Sequence, residues 1–171
     1  ARCVSQLVLL DSDFSAMPLA VEEGRRCINN IQRSASLFLV KTIFSFLLSV
    51  MFLFSSSAYP FQPIQLTLIS ALFIGAPSFL LALEPNKDRV QGRFIANVLK
   101  KALPGGLTVV LGIGALLVLQ NIFSIPQERL SVMAVYVTAG VLYGVLFRVC
   151  KPFRKWHIIM LAVVPAVFCA A

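Results

Sequence analysis

Four polar side chains sit together in an otherwise apolar stretch, SLFLVKTIFSFLLS: Lys41, Thr42, Ser45 and Ser49. Thr42, Ser45 and Ser49 fall at helical positions i, i+3 and i+7, and Lys41 and Ser45 at i and i+4, so a helix brings all four to one face. A polar stripe results. A lysine there has two readings. It either snorkels to the headgroups or stands in hydrocarbon at a cost of a few kcal/mol and serves a site. Ser49 on its own is read as bonding back to its helix. A second candidate lies in TLISALFIGAPSFLLALEPN, where Gly75 and Pro77 interrupt an apolar run. Proline has no N–H and crowds the carbonyl four residues back, that of Phe73, so free backbone oxygen is expected there, with Ser70 and Ser78 adding hydroxyls. Two readings stand side by side: a plain proline kink, and a discontinuous helix whose carbonyls line an ion path.

The elements that hold these residues are membrane spans. Of the 171 residues 58% are hydrophobic, and they gather in blocks near the length at which a helix crosses a bilayer. Mean hydropathy is +0.87, which does not suit a water-soluble surface. Apolar windows predict spans at about 36–56, 64–83, 105–125, 130–149 and 156–171. No Gly or Pro interrupts residues 25–58, so a polar stalk and the first span are expected to form one long helix. Residues 1–14 read as a buried strand and turn, an orphan from a larger cytosolic α/β domain, so the chain is expected to be a fragment. The domain reading is therefore 1–35 as the end of that domain with its stalk, and 36–171 as the transmembrane part. The fold class is an all-α integral membrane bundle of about five helices.

Net charge is +8, but the basic residues cluster at helix ends, not among stacking aromatics, which argues against nucleic acid. The linkers SSSAYPFQP and SIPQE are poor in Lys and Arg, whereas EPNKDRVQGRFIANVLKK and RVCKPFRK are rich in them. The positive-inside rule then makes the N-terminus cytoplasmic in a multi-pass cell-membrane protein. Within the second basic stretch an amphipathic segment is expected to lie on the membrane surface, with Phe94, Ile95, Val98 and Leu99 inward and Arg93, Asn97, Lys100 and Lys101 outward. Gly105, Gly106, Gly112, Gly114, and the pair Gly140 and Gly144, are read as close helix contacts. His157 beside Trp156 has no second ligand near it and is assigned no metal role. Cys3, Cys27, Cys150 and Cys169 show no metal or disulfide spacing and read as free thiols.

The stretch LVLLDSDFSAMPLAVEEGRRCINNIQRSASLFLVKTIFSFLL resembles the end of the phosphorylation domain and the fifth transmembrane helix of P-type cation-transporting ATPases. VEEGR followed by the asparagine pair matches in spacing, ALEPNKDRVQGRF continues the likeness, and the five spans match helices five to nine by layout. The wording looks like a bacterial branch assigned to calcium transport. The resemblance implies a pump in which an aspartyl phosphate, made with ATP and Mg, drives a cation through the membrane. The chain has no DKTGT, TGES or GDGVND motif, so it implies no catalytic residue here, no cofactor bound by this fragment, and no ATP hydrolysis by the fragment alone. Implied partners are the transported cation, the lipid bilayer, and the remaining cytosolic and N-terminal transmembrane domains of the same pump.

Carried over without gaps, the calcium-pump ligand positions of the fifth helix fall on Thr42 and Ser45, and those of the sixth on Ser70, Phe73 and Ile74. The membrane carboxylates of those pumps thus have no counterpart at these positions. The ion pathway is expected to use Lys41, Thr42, Ser45, Ser70, Phe73, Ile74, Gly75, Pro77 and Ser78, with metal ligation by Thr42, Ser45 and Ser70. One ion per cycle is expected, and Lys41 is expected to stand in for it after release. Two other classes compete. A small polytopic subunit with a structural or regulatory role would not explain the strand-like start, and a secondary transporter would show matching halves, which are not seen.

Overall fold

The computed structural model describes residues 14–54, 59–86, 89, 93–151 and 155–170, and these are almost wholly helical, with no strand among them. The strand expected at residues 1–14 lies, but for Phe14, outside the described residues. Helix α1 runs Ala16–Leu53, α2 Pro63–Ser70, a π-helical turn Ala71–Gly75, α3 Ala76–Ala82, α4 Phe94–Phe123, α5 Gln127–Val149 and α6 Lys155–Ala170. Four apolar helical stretches among the described residues are long enough to cross a membrane: α1, α2 through α3, α4 and α5. Residues Trp156–Ala170 form a shorter apolar one. The fold is an all-α membrane bundle.

The stalk and first span are one helix of 38 residues. At 1.5 Å per residue it is about 57 Å long, roughly twice the hydrocarbon thickness, so part of it must stand outside the bilayer. Its polar N-terminal stretch marks what is called here the near end of the bundle. The chain then alternates: α2 starts at the far end, α3 returns to the near end, α4 leaves it, α5 comes back and α6 leaves again. At the far end Gln62 and Gln65 form a reciprocal cap on α2, with the Gln62 N–H donating to Gln65 Oε1 at 3.0 Å. The same oxygen accepts from Ser131 Oγ at 3.0 Å and so joins α2 to α5. A short turn with Ser124 in the left-handed region (φ 49°) joins α4 to α5.

The core runs the length of the bundle through Leu37, Val40, Phe44 and Leu48 of α1, Ala102, Val109 and Ile113 of α4, and Leu142 and Leu146 of α5. Lipid supplies no hydrophobic drive between helices, so small residues and close packing decide who touches whom. A Cβ on Gly105 would lie 2.5 Å from Val145 Cγ2, one on Gly106 2.6 Å from Ile43 Cγ2, and one on Gly112 2.8 Å from Val137 Cγ1. These three glycines let α4 nest against α1 and α5. Gly114, Gly140 and Gly144 meet nothing within 4 Å, so the close contact expected at those positions is absent among the described residues.

The expected surface segment is also corrected. Residues 94–101 are the first turns of α4, continuous with its span through Pro104. Val98 and Ala102 are buried while Ile95 is 77% exposed, so the inward face is the one that leads to Gly105 and Gly106. Phe94 and Leu99 are exposed with Ile95.

Candidate functional site

Between α2 and α3 the backbone bonds shift from the i+4 to the i+5 register, with Ala76 N–H donating to Ala71 O. Pro77 explains the shift, since it offers no N–H to the next carbonyl and its ring displaces the chain behind it. The extra residue widens the turn and leaves backbone oxygen without its usual helical donor. Gly75 lies inside the turn, and a Cβ there would sit 3.5 Å from Ser70 O, an ordinary contact. This helix is therefore irregular without being broken.

The structure disposes the other sequence candidates unevenly. Ser70 is half-buried and donates to Leu66 O on its own helix. Phe73 and Ile74 are core residues, 2% and 1% exposed, and Phe73 meets Phe168 of α6 edge-on at 5.3 Å. Ser78 is buried; its carbonyl accepts from Ser34 Oγ at 3.2 Å, and its own hydroxyl has no partner among the described residues. On α1, Thr42 is exposed and donates to Phe38 O at 3.2 Å, and Ser49 donates to Ser45 O at 2.8 Å. Lys41 and Ser45 are half-buried. Thr42 and Ser70 thus spend their protons on their own helices, leaving oxygen lone pairs but no joint cage.

Sequence reading missed a second buried hydroxyl like that of Ser78. Thr138 of α5 is fully buried and its Oγ1 has no partner among the described residues. It lies seven residues after Ser131 on the same buried stripe, the one that faces α2 at the far end. A buried hydroxyl without a partner costs about 1–3 kcal/mol, so two in one small bundle call for an explanation. No group of three or more His, Cys, Asp or Glu side chains suited to a metal occurs among the described residues.

A second cluster closes the near end, and it too escaped the sequence reading. Glu84, just past α3, receives Arg33 Nη1 of α1 at 2.6 Å and lies 3.0 Å from His157 Nε2 of α6 on the same oxygen. Asn30 Nδ2 donates to the carbonyls of Ala82 and Glu84 at 3.0 and 2.8 Å, which satisfies orphan acceptors at the C-terminus of α3. Asn30, Arg33 and Ser34 are successive positions along one face of α1, so together they bolt α3 to the stalk. At the end of α5 burial pushes the Cys150 thiol up to about 11. Cys27, Cys150 and Cys169 are free thiols.

With this geometry in hand the relatives decide the family. The chain is 35% identical over 176 residues to the calcium-transporting ATPase CtpE of Mycolicibacterium smegmatis, an alignment that takes in 95% of the chain and 22% of that protein. It is 34% identical over 168 residues to the probable cation-transporting ATPase exp7 of Streptococcus pneumoniae, covering 94% of the chain and 22% of the relative.

This chain belongs to the P-type cation-transporting ATPases.

A P-type sodium-transporting ATPase4 of Toxoplasma gondii matches as well, at 32% identity over 88 residues, which is 52% of the chain and 7% of that protein. The chain thus spans little more than a fifth of the length of the bacterial relatives it matches. No protein-family profile matches it, and no solved structure does. Within a P-type ATPase these helices are multi-pass membrane elements.

Proposed function

We propose that this chain forms part of the cation pathway of a pump that couples ATP hydrolysis to transport, with calcium the favoured cargo. The observation that carries the reading is the π-turn at Ala71–Gly75, flanked by the unpartnered, buried hydroxyl of Ser78. Irregular backbone is tolerated at membrane depth only where protein or a cavity covers it, and its oxygens suit a hard cation. Calcium is favoured because relatives matched over nearly the whole chain carry that name. The site proposed here is Ser70, the turn's carbonyls, Ser78 and Thr138, with Thr42, Ser45 and Lys41 on the neighbouring helix. Hydroxyl and carbonyl oxygens bear less charge than carboxylates, which favours one ion per cycle, and Lys41 balances the site once the ion has left.

The stalk connection supplies the coupling. With Lys and Arg concentrated in near-end segments, that end is cytoplasmic. Asn30, Arg33 and Ser34 fasten α3 to α1, while the π-turn separates α3 from α2. A push along α1 is thereby delivered to the turn, the most yielding point of the second span. ATP and Mg act in the remaining cytosolic domains of the pump, and the residues here hydrolyse nothing alone. The test is cation-stimulated ATPase activity of the full-length protein in liposomes, with Ser78→Ala and Thr138→Val. A raised half-saturation for one cation in both variants supports the pathway, and unchanged half-saturation in both sinks it.

A further inference from the structure

Charged or titratable side chains from all sides of the bundle meet at the near end. Arg33 comes from α1, Glu84 from the end of α3 and His157 from α6, with side chains 9%, 11% and 6% exposed. Lys101 of α4 is within electrostatic reach of Arg33, and Cys150, capping α5, within reach of both Arg33 and Glu84. Burial raises the Cys150 thiol, so it stays neutral across the physiological range. Imidazole is the group whose charge ordinarily changes near neutrality. His157 also lines a cavity of about 450 Å³ with Leu80, Leu83, Pro85, Trp156 and Met160.

Two attachments of α6 stand out. One is the His157 contact with Glu84. The other is Phe168, which stands between Phe73 of the π-turn at 5.3 Å and Tyr136 of α5 at 5.8 Å. Met160, Leu161 and Val164 pack α6 into the core between these two points, so loosening the first shifts the near end of α6 relative to the second, which touches the turn assigned to the ion.

We infer that His157 is a proton-operated latch: the protonated ring ties α6 to Glu84 and through it to the stalk, and loss of the proton loosens α6 and changes the pump's turnover. The inference rests on the pump reading for its effect on turnover, but not for the latch itself. Protonation turns the contact into a bond with charge on both sides. Such bonds are roughly twice as strong as neutral ones. The tie is therefore strongest on the acid side and fades as pH rises.

The test uses the full-length protein in lipid nanodiscs, with spin labels at Ile31→Cys and Ile159→Cys, both exposed positions, in a background free of other reactive cysteines. Between about pH 5.5 and pH 8, the range over which imidazole titrates, the distance distribution is expected to pass from a single narrow peak to a broader, longer one. In His157→Gln and in Glu84→Gln that pH response is lost. Turnover of the parent pump is expected to change about fivefold over the same range, the factor a charge-assisted bond typically adds, and to stay flat in His157→Gln. Distances that ignore pH in the parent protein, or that respond equally in the variants, overturn the latch. If no cation stimulates the ATPase the pump reading falls, while the distances still decide the latch.

Discussion

Glu84→Ala removes a carboxylate that two helices share, and the structure indicates how much that disturbs. Its side chain is 11% exposed, Arg33 opposite is 9% exposed, and their 2.6 Å contact is charge-assisted. The alanine variant leaves the Arg33 guanidinium buried, with Lys101 within electrostatic reach of it. Breaking one partner of a buried pair costs about 3–5 kcal/mol, because the remaining charge is uncompensated. Asn30 still holds the main-chain carbonyls of Ala82 and Glu84, so the loop keeps its place and the loss is confined to the side chain. Replacing both partners, Arg33→Met with Glu84→Leu, removes the buried charge and is expected to recover most of that stability. The assay is reversible unfolding of the full-length protein in bicelles, run as a double-mutant cycle. A Glu84→Ala cost below about 1 kcal/mol, or a double variant whose loss is the sum of the singles, refutes the reasoning.

Other outcomes follow from the same geometry. Gly106→Leu, which drives a side chain into Ile43 at the α1–α4 crossing, is expected to destabilise by about 1–3 kcal/mol, whereas Gly114→Ala, with nothing within 4 Å, is neutral or mildly stabilising in the same unfolding assay. Ser78→Ala and Thr138→Val delete buried hydroxyls that have no partner, so stability is expected to hold or rise while apparent cation affinity falls. A loss of stability in both would show that the hydroxyls are bonded after all. Because burial raises the Cys150 thiol to about 11, the reactive thiolate is scarce at pH 7.5, roughly one part in a few thousand. Maleimide is therefore expected to label exposed Cys27 and Cys169 at least about tenfold faster than Cys150, a ranking that mass spectrometry reads directly.

The helices were legible because bilayer thickness imposes a length that apolar runs display openly. The π-turn was foreshadowed by Gly75 and Pro77, since a missing N–H acts locally and can be read from one residue. Orphan hydroxyls and charge clusters are different in kind. Arg33 lies 51 residues from Glu84 and His157 73 residues from it, so no spacing rule brings them together. The available signals were a lone glutamate closing one apolar span and a lone histidine opening another, each ordinary by itself. Thr138 was hidden in the same way, as one hydroxyl on a helix whose buried stripe could be told from its lipid face only once neighbours were placed. The surface segment at residues 94–101 misled because a helix that emerges from a membrane is amphipathic whether it bends along the surface or runs straight on, as α4 does.

The most direct test of the account is ATPase activity of the full-length protein in liposomes against calcium, magnesium, manganese, potassium and sodium, with Ser78→Ala and Thr138→Val beside it. Stimulation by calcium, with a higher half-saturation in both variants at unchanged stability, is the predicted result. Turnover that no cation raises, or half-saturation that neither variant moves, contradicts the assignment of the π-turn and its buried hydroxyls to the ion pathway.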